Sequence, residues 1–149
     1  MTVNAGNVND FVPTNFATQH LSVFETHAKG VRIKEDGLYQ VIAYCSQTSF
    51  TTTQEVNLEV TQRYYDTDDT TIIAEHQNEL TVGFTKDYRG VTGAPSHMAT
   101  GMFVGSDSSH FVIVAKVRNQ SASNIAFGDF EMVVMQISPI RPTNQGASY

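Results

Sequence analysis

Gly30-Val-Arg-Ile-Lys-Glu-Asp-Gly-Leu-Tyr-Gln-Val-Ile-Ala-Tyr-Cys45 holds two strands and the turn that joins them. Val31 and Ile33 make a short strand, and Asp36-Gly37 then turns the chain. From Leu38 the period is two: Tyr39, Val41, Ala43 and Cys45 point one way, while Leu38, Ile42 and Tyr44 point the other. Both sets are apolar, so one face is expected in a core and the other on a second surface.

The same alternation extends in both directions. Leu21 and Val23 start a short strand, and Val56, Leu58 and Val60 alternate with Asn57, Glu59 and Thr61 to give a half-buried strand with a polar outer face. Further strands are expected at Thr70–Ala74, Leu80–Phe84, Met98–Val104, Phe111–Val117 and Phe130–Ile137, with a link or strand around Ile125–Phe127. Residues 86–96, with Gly90, Gly93 and Pro95, read as a long loop, and Ile72–Leu80 is the one helix-compatible stretch. About eight to ten short strands with turns between them mean an antiparallel β-sandwich or barrel. Parallel α/β folds are excluded because the crossover helices are missing. The fold class expected is all-β, a jelly-roll sandwich. Residues 1–18, polar and rich in Asn, read as an arm, 19–138 as the sandwich, and 139–149, with Pro139, Pro142 and Gly146, as a tail.

Composition narrows the function. The 149 residues are 40% hydrophobic and 16% charged, with 9 Phe and 6 Tyr, so the chain folds. A net charge of −6 with its nine Lys and Arg scattered argues against nucleic acid and anionic membrane partners. Cys45 stands alone, which rules out an internal disulfide. No secretory leader and no apolar run of about 18 residues is read in the sequence. The free cysteine suits assembly in a reducing cytosol.

Two stretches carry a family likeness. Gly37-x-Tyr39 resembles the turn of C1q/TNF-like jelly rolls that drops a tyrosine ring into the core. Phe111-Val-Ile-Val-Ala-Lys-Val117 and Phe130-Glu-Met-Val-Val-Met-Gln-Ile137 look like that fold's closing strand pair, the last strand lying beside the Gly-x-Tyr strand. Gly128-Asp129 departs from the pattern, since it precedes the last strand rather than the penultimate one. Small proteins of this appearance are similar to structural proteins of tailed-bacteriophage virions, which implies capsid decoration (cement) proteins or fibre heads.

Candidate chemistry is sparse. Asp66, Asp68 and Asp69 offer oxygens to a hard cation, but the spacing fails the EF-hand pattern and a solvated turn is the favoured reading. His20, His27, His76, His97 and His110 form no pair at metal-ligand spacing. Gly105-Ser-Asp-Ser-Ser-His110 gathers Ser, Asp and His, yet lacks a Gly-x-Ser-x-Gly elbow. Cys45 reads as a buried, inert thiol. Glu55, Glu59 and Glu79 fit outer strand faces as well as a glycosidase cleft.

The expectation is therefore a non-enzymatic protein without cofactors. It works as a virion cement that self-associates, a trimer before a dimer, and contacts a major capsid protein. The interface residues expected are Leu38, Ile42 and Tyr44, with Tyr88 in the loop and Phe11 and Val12 on the arm. A receptor-binding fibre head using the 86–96 and 105–110 loops is the alternative.

Overall fold

The computed structural model describes residues 1–11, 22–48, 54–68, 70–73, 80–89, 96–105 and 111–139. Among these, ten strands run in chain order: β1 Thr2–Val3, β2 Val8–Phe11, β3 Phe24–His27, β4 Gly30–Ile33, β5 Gly37–Gln47, β6 Gln54–Tyr64, β7 Leu80–Arg89, β8 Ser96–Gly105, β9 Phe111–Asn119 and β10 Ile125–Ser138. The described residues contain no helix.

A four-stranded sheet has the order β1-β10-β5-β8, and a larger one the order β3-β4-β9-β6-β7, with β2 also pairing β9. Every pairing is antiparallel. From β4 onward the chain passes back and forth between the sheets, with β6 and β7 the one consecutive pair staying together. That wrapping makes the sandwich a jelly roll. As the resemblance implied, the last strand lies beside the Gly-x-Tyr strand, Val133 opposite Ile42 and Val134 opposite Val41. Strand β9 is not its partner and belongs to the other sheet.

The core forms where the inward residues of both sheets meet. In β5, Tyr39, Val41, Ala43 and Cys45 are wholly buried, and the residues between them are half-buried. Tyr39 is the centre of a ring cluster, stacked on Phe103 at 5.5 Å and edge-on to Phe24 at 5.9 Å. Its hydroxyl donates to the Glu35 carbonyl at 2.7 Å and accepts from Gln136 Nε2 at 3.3 Å. Burial pushes the Tyr39 phenol up; the Gln136 hydrogen bond opposes this, and the Glu35 and Asp36 charges add to it.

Several expectations are corrected. The first eleven residues are not a free arm: β1 pairs β10, β2 pairs β9, and Val3 and Phe11 are core residues. These strands are too short, two and four residues, to show a period. Residues 12–18 of that segment lie outside the described residues, as do 140–149 of the tail. Of the stretch expected as a loop at 86–96, residues 86–89 belong to β7 and Ser96 opens β8, so Tyr88 lies in a strand; residues 90–95 lie outside the described residues. Among the described residues 70–73 of the strand expected at Thr70–Ala74, Ile72 makes a single bridge to Tyr65; Ala74 lies outside them. Ile125–Phe127 and Phe130–Ile137 form one strand, β10, with a bulge at Gly128-Asp129. The extra residue shifts the parity, so Ile125 and Phe127 point inward before it and Phe130, Met132 and Val134 after it.

The outer face of β6 is also not solvated. Asn57, Glu59 and Thr61 are buried. Paired polar groups tolerate this. Glu59 lies 3.8 Å from Lys116 Nζ and accepts from Arg118 Nε at 3.2 Å, and Asn57 donates to Gln120 at 3.1 Å. Beside them, Arg63 grips Asp10 with both terminal nitrogens, at 2.8 and 3.0 Å, which fastens β2 across β9 to β6. Burial alone would raise the Asp10 pKa, but the hydrogen bonds and charge of Arg63, with Lys29 and Lys116, outweigh it and hold the carboxyl below its usual value.

Two stability predictions arise here. The Asp10 pKa is lower folded than unfolded, so this ion pair stabilises fully above the unfolded value, roughly pH 4, and its contribution is lost as pH falls through the folded pKa. The native protein should melt above Asp10→Asn at pH 6, and the gap should close in a melting series toward pH 2. At Gly30, an added Cβ would run into the Ile113 carbonyl of the neighbouring strand. Backbone cannot move aside as a side-chain tip can, so Gly30→Ala should cost about 3 kcal/mol in urea unfolding.

Candidate functional site

The outward side chains of the four-stranded sheet form cross-strand rows. Strand register aligns Val104 with Leu38, Met102 with Gln40 and Met135, Thr100 with Ile42 and Val133, and Met98 with Tyr44 and Glu131. Each member follows from period-two patterning, since its chain neighbours point into the core. Met98, Met102 and Val104 are 60%, 57% and 64% exposed, and Val133, Met135 and Ile137 are exposed too. Within these rows the only charged residue is Glu131. Tyr44 and Ser96 share a hydroxyl–hydroxyl hydrogen bond of 3.1 Å at one end of the face.

This apolar face differs in kind from the outer face of the larger sheet. There, among the described residues, Arg63 pairs with Asp10 and Lys116 and Arg118 with Glu59 across strands, and a small second cluster of Tyr65, Val112 and Val114 sits under Ile72. An apolar surface without such cover is what a protein presents to a partner.

The structure places Leu38, Ile42 and Tyr44 together on this face, half-buried, as their spacing predicted. Phe11 is not available to a partner: it is 4% exposed and stacks on Phe130 at 4.4 Å. An aromatic at the end of a four-residue strand fills the core rather than reaching outward. Val12 lies outside the described residues, and of Tyr88 only the backbone is described. The flanking residues Met98, Met102, Val104, Val133 and Met135 were not singled out in the sequence. Their signal was present as even-numbered apolar positions in β8 and odd-numbered ones after the bulge in β10.

The other candidates resolve into structural roles. Asp68 Oδ1 accepts from the Thr70 and Thr71 amides at 2.9 and 2.8 Å, and Oδ2 accepts from the Thr71 hydroxyl. These Thr71 and Thr70 bonds hold the carboxyl well below the usual range. Asp66 Oδ1 accepts from the Thr67 amide at 2.6 Å. Both acids shape a turn; Asp69 lies outside the described residues. Among the described residues no group of three or more His, Cys, Asp or Glu is placed to hold a metal ion. Residues 106–110 also lie outside them, so only Gly105 of the Ser-Asp-His stretch is described.

His97 stands opposite Cys45 in the interior, a neighbour that sequence spacing did not reveal, and its Nε2 lies 3.1 Å from Gln47 Oε1. Both side chains are sealed from solvent, and burial pushes the Cys45 thiol up to about 12. A soluble maleimide should therefore leave Cys45 unlabelled in the folded protein and label it within minutes in denaturant, as followed by mass spectrometry.

The sequence matches no protein-family model and no curated protein. Among solved structures, the chain is similar to the Eiger TNF of S. frugiperda, at 10% identity and a TM-score of 0.48, covering 97% of this chain and 90% of that one. It is also similar to the N-terminal CBM22-1–GH10 modules of xylanase 10B from Clostridium thermocellum, complexed with xylohexaose, at 12% identity and a TM-score of 0.39. That match covers 80% of this chain but spans only 21% of the xylanase chain.

Proposed function

We propose that this protein is a non-catalytic assembly protein, which self-associates through the outer face of its four-stranded sheet. The observation that carries this is the set of rows from Val104–Leu38 to Met98–Tyr44, which hold exposed Met98, Met102, Val104, Val133 and Met135 and a single charge, Glu131, on an acidic chain. Three strands about 4.8 Å apart and seven residues of about 3.3 Å give a flat footprint of roughly 300 Å². A specific interface needs about 800 Å² from each partner, so the face supplies the apolar centre and its surroundings the rim. Copies carrying −6 each repel, and the approach that opposes least charge is through this face.

The finer reading is a virion component: a decoration protein on a bacteriophage head whose copies clamp the major capsid protein. The Gly37-x-Tyr39 turn and the placing of β10 beside β5 support it by resemblance. Contacts repeated by symmetry would multiply modest interfaces by avidity. Chromatography with light scattering, with and without purified shells, tests both readings. A discrete oligomer that co-sediments with shells is expected. A single protomer at high concentration overturns self-association, and an oligomer that ignores shells overturns the capsid role.

A further inference from the structure

The geometry points to Met98, Met102 and Met135 as modification sites: we propose that a hydroperoxide oxidises these three thioethers to sulfoxides, and that this switches off docking of a second copy. The switch rests on the self-association reading above; the assignment of the sites does not.

All three methionines project from the same face into solvent, whereas Met132 points the other way and packs on the core. Cys45, the sulfur that a peroxide would ordinarily take first, is wholly buried and protonated. That leaves the thioethers as the reactive sulfurs of the face. They lie on both strands flanking β5, and Met102 and Met135 occupy one cross-strand row on either side of Gln40. The Gln40 amide thus stands one strand away from each, a donor suited to a sulfoxide oxygen.

The step balances without a cofactor. The thioether sulfur attacks one peroxide oxygen, the O–O bond breaks and an S–O bond forms. The sulfur loses two electrons, the proton on the attacked oxygen passes to the departing one, and that oxygen leaves as water, or as an alcohol from an organic hydroperoxide. Each sulfoxide turns a flexible apolar side chain into a polar one that must be dehydrated when a second copy covers it. About tenfold weaker association for each sulfoxide follows, so three should weaken it on the order of 1,000-fold.

The test treats the full chain with hydrogen peroxide and follows peptide masses and light scattering together. Met98, Met102 and Met135 are expected to gain oxygen well before Met132, and the oligomer to dissociate. Methionine sulfoxide reductases should restore it. The variant Met98→Leu/Met102→Leu/Met135→Leu should stay assembled under the same peroxide, with an unchanged circular dichroism spectrum. Oxidised protein that associates as before overturns the switch, as does a leucine variant that dissociates equally. Oxidation of Met132 at the same rate overturns the site assignment. Untreated protein that is already a single protomer overturns self-association and the switch with it, while the peptide masses still decide the sites.

Discussion

Ile42→Asp is expected to give a folded protomer that fails to make the proposed self-association. Ile42 lies at the middle of the face, between Thr100 and Val133, on the central one of the three strands. A carboxylate there would lose its hydration in the assembly with no cation in the surrounding rows to receive it. In the proposed assembly copies meet through like surfaces, so every new carboxylate would meet the partner's face as well. Association should weaken at least about 100-fold, read by light scattering across a dilution series. The fold survives because the side chain points away from the core, and the loss of strand preference costs only about 1 kcal/mol. Val133→Asp, on the neighbouring strand, should act in the same way. If both variants assemble like the native protein, this face is not the interface.

The largest loss of stability is expected at Tyr39. Its ring is wholly buried against Phe24 and Phe103, and Gly37 and Gly105 leave the space that it fills. Tyr39→Ala removes the ring from both contacts and leaves a cavity that the two sheets cannot close, which should cost about 3–5 kcal/mol. Tyr39→Phe keeps the ring but takes the donor from the Glu35 carbonyl, for about 1 kcal/mol. Stability of a domain this size is on the order of 5–15 kcal/mol, so the alanine variant should sit near its unfolding midpoint at modest urea while the phenylalanine variant stays folded. Equal losses for the two would show that the hydroxyl, and not the ring, holds the turn.

Long strands with strict alternation were legible in the sequence. In β5 every residue from Tyr39 to Cys45 takes the side that its parity assigns, and that parity located the face through Leu38, Ile42 and Tyr44. What failed did so for physical reasons. Ile125–Phe127 and Phe130–Ile137 read as separate segments, but Gly128-Asp129 between them form a bulge that keeps a single strand running while exchanging its faces. Glu59 and Asn57 read as solvated because their partners, Lys116, Arg118 and Gln120, are some sixty residues away in the chain. Val3 and Phe11 could not announce their burial, since the strands that receive them lie at the other end of the sequence.

That last arrangement has a consequence for biosynthesis. Strand β2 shares the flank of β9 with β4, and the Met1 amino group donates to the carbonyl of Phe127 at 2.7 Å. Residues 2–11 must therefore wait for strands made more than a hundred residues later before they find a place. Closing loops of this span is slow, and in the interval Phe11 and the ring of Phe130 that it later covers both face water. Nascent chains should depend on holdase chaperones, and stalled ones should be the aggregating species.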